Sequence, residues 1–92
     1  MLLRTPAEMA AEAALRFRRI RQDKAVTIKA LSENSGVPYS TIRRFEHTGE
    51  ISFLALVKLA SALGEDEQIT GLFAGRTPAS IEEVIRGNRR KT

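Results

Sequence analysis

At 92 residues the chain is one small domain. It has no cysteine, which excludes a disulfide framework and a thiolate metal site, and its apolar runs are far too short for a membrane span. Hydrophobic residues make up 42% and charged residues 28%, an ordinary globular balance, with a formal charge of +4 and a pI near 10.1.

The positive charge is unevenly spread. Residues 13–48 carry a net +5, residues 49–85 a net −4, and residues 86–92 a net +4. A one-sided positive field suits a polyanion, and a solvated surface would show the same charges. The start of the chain lacks an apolar core followed by a cleavage site, which argues against a secretory signal and for a cytoplasmic location.

In chain order, "TPAE" at Thr5–Glu8 opens a first helix over about residues 6–23: Thr5 caps, Pro6 suits the first position and Glu8 completes a capping box. Met9, Ala13, Phe17 and Ile20 fall at helical spacing and predict its buried face. Thr27 caps a short second helix from Ile28 to about Ser35, with Leu31 inward, and Gly36 ends it. Val37 is apolar within a turn and is expected to pack between helices. Pro38 disfavours helical geometry at Val37 and starts a third helix over about 38–47, with Ile42 and Phe45 inward.

Ser52 caps a fourth helix whose apolar positions Phe53, Leu56, Val57, Leu59, Ala60 and Leu63 repeat at three and four, and Gly64 closes it. A fifth helix over about 65–73 carries Ile69, Leu72 and Phe73. A second capping box at Ser80–Glu83 opens a short helix with Ile81, Val84 and Ile85, followed by a basic tail, "GNRRKT". The fold class is therefore all-α: a domain over residues 1–73, then a linker, short helix and tail over 74–92. The expected core is Phe17, Ile20, Val37, Ile42, Phe45, Phe53, Leu56 and Leu63.

Two short helices joined by a tight glycine-containing turn form a helix-turn-helix unit. The break projects the second helix at a steep angle, so that its leading residues can enter a groove while the first crosses the phosphate backbone. The B-DNA major groove accepts one helix. Tyr39, Ser40, Arg43 and Arg44 supply the hydrogen-bonding and cationic groups that base edges and phosphates require. Surface positions on a helix that merely packs would carry the same residue types without that use.

The stretch "TIKALSENSGVPYSTIRRFEHTGEISFLALVKLASALG" resembles the helix-turn-helix of the phage Cro/CI repressor, or XRE, family, at Thr27, Leu31, Ser32, Gly36, Val37, Ile42, Glu46 and Gly49 and in the apolar helix that follows. The resemblance covers roughly residues 15–73 and implies a five-helix, lambda-repressor-like domain that binds double-stranded DNA. It implies base reading by Tyr39, Ser40 and Arg44, phosphate contact by Thr41 and Arg43, and a phosphate-facing backbone at Gly49. It also implies an ion pair between Arg21 and Glu46 that braces the first helix against the third. Many members carry glutamine directly after the cap of the second helix, where this chain has Ile28; Lys29, one position on, is the expected substitute beside Thr27.

"RFRRIR", "STIRRFEHTGEISFLALVKLASALG" and "SIEEVI" before a basic tail together resemble the HipB-like antitoxins encoded beside Hip-type serine/threonine kinases. That resemblance implies a homodimer that represses its own operon at palindromic sites and binds the kinase toxin. Independently, the apolar residues of the last two helices exceed what a small core can use, which makes Ile69, Leu72, Phe73, Ile81, Val84 and Ile85 the expected dimer surface. The alternative is an interaction module that neutralises a kinase with little DNA binding. Nothing suggests an enzyme or a cofactor. His47 is the sole histidine and has no ligand or nucleophile partner at useful spacing, and Glu82–Glu83 reads as dipole-favourable charge at a helix start.

Overall fold

A computed structural model describes residues 4–75. Five helices account for them: α1 (Pro6–Asp23), α2 (Ile28–Ser35), α3 (Tyr39–Thr48), α4 (Phe53–Ala62) and α5 (Asp66–Thr70). There is no strand among the described residues. None of their helices is long and apolar enough to cross a membrane. The Ser80–Glu83 capping box, with Ile81, Val84 and Ile85, lies outside the described residues.

Local chemistry sets the helix bounds. Thr5 accepts from the Glu8 amide at 3.0 Å while the Glu8 carboxylate accepts from the Thr5 amide at 2.8 Å, a reciprocal capping box. Thr27 and Ser52 cap α2 and α4 through the amides of Ala30 and Ala55. Pro38 is the N-cap residue of α3 rather than its first residue, since its ψ of 144° is extended and not helical; its carbonyl receives the amides of Thr41 and Ile42. α5 is shorter than expected. It stops at Thr70, and Phe73 takes a left-handed φ of 63°, which ends any continuation towards residue 73.

α1 packs on α3, α2 on both α3 and α4, and α4 on α5. Leu31, Ile42 and Leu59 are the largest fully enclosed side chains, one from each of α2, α3 and α4. Phe17 meets Phe45 edge to face with ring centroids 5.3 Å apart, an orientation that places the positive edge of one ring against the face of the other. Val37 is buried from within the turn.

Two expectations about the core fail. The buried stripe of α1 is Ala14, Phe17 and Arg21, flanked by half-buried Ala10 and Ile20, whereas Met9 and Ala13 are exposed. The reason is a close approach at the far end of α3. A Cβ added to Gly49 would lie 2.6 Å from the Ala10 carbonyl carbon, so the side of α1 that faces α3 at that end is the one carrying Ala10 and not Met9. Phe53 was expected inside and is 58% exposed: it stands in the first turn of α4, beyond the edge of the core that Leu59, Ala60 and Leu63 enter.

Candidate nucleic-acid interface

The turn between α2 and α3 is held by backbone conformation and by two serines. Gly36 adopts φ 77° and donates its amide to the Ser32 carbonyl. Glycine meets no steric penalty there. Ser32 Oγ donates to the Val37 carbonyl at 2.7 Å, and Ser35 Oγ accepts from the Val37 amide at 3.1 Å. With Val37 anchored in the core, the direction in which α3 leaves the turn is set.

The inner face of α3 is locked in three ways. Ile42 and Phe45 are buried, and Glu46 is held by Arg21. The Arg21 guanidinium donates from Nε to Glu46 Oε2 at 2.7 Å, from Nη2 to Oε1 at 2.9 Å, and from Nη1 to the Val26 carbonyl at 2.8 Å. The hydrogen bonds to Glu46 are the main cause that raises the Arg21 pKa further above its ordinary value, so the guanidinium stays charged.

At 100° per residue, the positions opposite that locked face are Ser40, Arg43, Arg44 and His47, and all four are exposed. Tyr39 leads the helix and is 47% exposed. Because Pro38 provides no side-chain cap, the first amides of α3 are left for an external acceptor at the positive end of the helix dipole. Thr41 is half-buried and turns towards a shallow groove shared with Ser52 and Leu54. Thr27 is exposed with its oxygen engaged as a cap, and Lys29 is exposed beside it. Gly49, φ 83°, is half-buried against α1, so this glycine serves the packing of the domain itself.

Two residues join this face that the sequence reading did not place there. Arg18 of α1 and His47 of α3 line one concavity with Arg43, the Arg21–Glu46 pair and Ile28. The available signal was helical phase, since His47 follows Arg43 by four positions and Ser40 by seven. Ile28, where a phosphate-binding glutamine was expected, packs half-buried against the core and forms an apolar wall of that concavity. Arg44 pairs with Glu50 across the exposed end of α3. Among the described residues there is no group of acidic, histidine or cysteine side chains that could hold a metal.

The face is thus a projecting helix end with hydroxyl, guanidinium and imidazole groups on its outer side and a rigid apolar attachment on its inner side. That arrangement offers donors and positive charge to a polyanion, and it contains no paired nucleophile and base. No curated protein and no solved structure gives a significant match. A family model described as helix-turn-helix matches residues 17–69, which takes in the C-terminal part of α1, the whole α2–turn–α3 unit, α4 and most of α5. The chain belongs to this XRE-type helix-turn-helix family, a family of DNA-binding transcription regulators.

Proposed function

We propose that the protein is a sequence-specific transcriptional repressor that binds a palindromic operator as a homodimer, with the outer face of α3 in the major groove. The observation that carries this reading is the outward cluster of Ser40, Arg43, Arg44 and His47 behind a helix whose opposite side is tied down by Ile42, Phe45 and Glu46. Tyr39, Ser40 and Arg44 take base edges in this reading; Thr41, Arg43, Lys29, Thr27 and the backbone near Gly49 take phosphates. One short recognition helix makes few base contacts, each worth about 1–3 kcal/mol of discrimination. A two-fold dimer doubles them, with half-sites about one helical turn apart. Leu72 and Phe73, respectively 44% and 94% exposed, support a dimer surface at the end of α5, with half-buried Ile69 beside them. The expected location is cytoplasmic, in association with the nucleoid.

The test is a titration of duplex DNA selected from a randomised library. Wild type should retain a palindrome, and Arg44→Ala should keep its helical circular dichroism while losing the preference for that palindrome. Wild-type affinity should fall steeply with salt, because phosphate neutralisation releases counterions. Unchanged selectivity in the Arg44 variant, or an affinity flat across moderate salt, would overturn the reading.

A finer form makes the protein the HipB-like antitoxin of a Hip-type toxin–antitoxin operon, supported by the resemblance of "RFRRIR", the α3–α4 stretch and "SIEEVI" to such antitoxins. A second reading, a protein-interaction module that neutralises a kinase, is favoured by the exposed Phe53, Leu54, Leu72 and Phe73. Co-purification of a neighbour-encoded kinase supports the antitoxin form when the chain also retards DNA, and the second reading when it does not.

A further inference from the structure

We infer that Glu50 is a specificity-determining residue that acts through Arg44, biasing this arginine towards base edges and away from phosphates; the inference rests on the DNA-binding reading above. Glu50 follows Gly49 at the end of α3, and its carboxylate Oε1 receives Arg44 Nη2 at 2.5 Å. Both side chains are open to solvent, at 70% and 65% exposure, so the pair stands on the outer surface and not in the core. Its position is set by the backbone. Thr48 Oγ1 donates to the Arg44 carbonyl at 2.7 Å and accepts from the Glu50 amide at 3.1 Å, which draws the start of the α3–α4 loop back against the helix.

The consequence follows from counting donors and charges. A guanidinium has five N–H donors, and Glu50 engages one nitrogen, so Arg44 retains a free fork. A guanine edge presents two neutral acceptors, O6 and N7, and can take that fork while the ion pair persists. A phosphate instead brings a full negative charge next to the Glu50 carboxylate, well inside the screening length at physiological salt. The carboxylate is also able to accept from a cytosine amino group and is repelled by acceptor edges. Glu50 therefore penalises the sequence-independent use of Arg44 more than its use on a guanine.

The experiment compares wild type, Glu50→Gln, Arg44→Ala and the double variant. Each is titrated by fluorescence anisotropy at one salt concentration against the duplex that wild type selects from a randomised library and against a shuffled duplex of the same composition. Glu50→Gln is expected to tighten binding to the shuffled duplex by about three- to tenfold, the range for an exposed ion pair plus a nearby like-charge repulsion. Binding to the selected duplex should change less, so the ratio of affinities falls. In the Arg44→Ala background, where the ion pair is already gone, the same substitution should tighten binding to the shuffled duplex by clearly less than it does beside Arg44. A selective wild type whose ratio is unaltered by Glu50→Gln overturns this inference alone. An equal tightening on the shuffled duplex in the Arg44→Ala background also overturns it, since Glu50 would then act without Arg44. A wild type with no preference between the two duplexes overturns the repressor reading and this inference with it.

Discussion

Arg21 and Glu46, twenty-five positions apart, form a two-pronged ion pair that ties the C-terminal end of α1 to the underside of α3, with side-chain exposures of only 10% and 5%. The third guanidinium contact, to the Val26 carbonyl, fastens the same arginine to the loop that leads into α2. One side chain thus couples the three segments that determine how α3 is presented.

Removing one partner should strand the other charge in a nearly water-free place. Glu46→Ala is expected to cost about 3–5 kcal/mol in urea unfolding, a large share of a small domain's stability. Replacing both partners with apolar residues, Arg21→Met with Glu46→Leu, should cost less than the single change. A double variant that is destabilised by the full sum of the two single effects would show that the pair is not coupled.

Gly36 and Gly49 share a left-handed backbone and differ in their surroundings, so alanine separates conformation from contact. At Gly36 an added Cβ meets nothing within 4 Å, and Gly36→Ala should cost about 1–2 kcal/mol, the conformational penalty alone. At Gly49 it would collide with the Ala10 and Ala11 backbone, the nearest atom at 2.6 Å. Gly49→Ala should therefore cost about 2–5 kcal/mol, conformation plus overpacking. Equal losses of thermal stability in the two variants would contradict the close approach of α3 to α1.

Ala25 is an opportunity for stabilisation. It holds φ 58° after α1, where its amide reaches the Gln22 carbonyl at 2.9 Å and the Val26 amide reaches the Arg21 carbonyl at 3.1 Å. This paired pattern normally places glycine at such a position. Ala25→Gly should raise stability by about 0.5–1 kcal/mol, the relief of the left-handed strain less the greater freedom of glycine in the unfolded chain. Differential scanning calorimetry should show a higher Tm.

Acid should weaken the domain at two identifiable places. Lys24 Nζ lies 2.7 Å from Glu65 Oε2 and also donates to the Leu63 carbonyl, joining the end of α1 to the end of α4. Its hydrogen bond, with a second from Gln68, lowers the Glu65 pKa; the Thr5 amide, then the Thr5 hydroxyl, lowers that of Glu8. Carboxyl groups with folded pKa values below the unfolded ones contribute fully above the usual glutamate value of about 4.3, and the contribution is lost as pH falls through the lowered folded values. Tm should hold steady from neutral pH to about 5 and decline below the glutamate range. In Glu65→Gln the acid decline should be shallower, measured from pH 6 to pH 2.5 at about constant ionic strength.

The self-association expected of the α5 end has its own test. Phe73 is 94% exposed, so Phe73→Asp should leave the fold intact while sedimentation equilibrium shows a monomer. A persistent dimer would move the interface to another surface, with Phe53 and Leu54 a second exposed apolar pair in the described residues.

The helix-turn-helix itself was legible in the sequence because the signals that make it are local. Capping residues Thr5, Thr27 and Ser52, the breakers Gly36 and Pro38, and the apolar spacing of Leu31, Ile42 and Leu59 act within a turn or two of chain, and each helix begins and ends within a few residues of where those signals place it. The shortfall came at α5, where Phe73 takes a backbone conformation that its residue type gives no hint of.

What tertiary structure alone decided is everything that depends on how closely two helices approach. Apolarity favoured Met9 as a core residue, yet the α1 backbone at Ala10 lies close against Gly49 and the buried positions of the helix are Ala14, Phe17 and Arg21. The pairing of Lys24 with Glu65, the meeting of Arg18 with Arg43 and His47, and the hold of Glu50 on Arg44 likewise arise between segments. Hydrophobic periodicity reports which side of a helix is buried on average, whereas contact between helices depends on side-chain volume and on the path of the turns. Those are properties of the assembled chain.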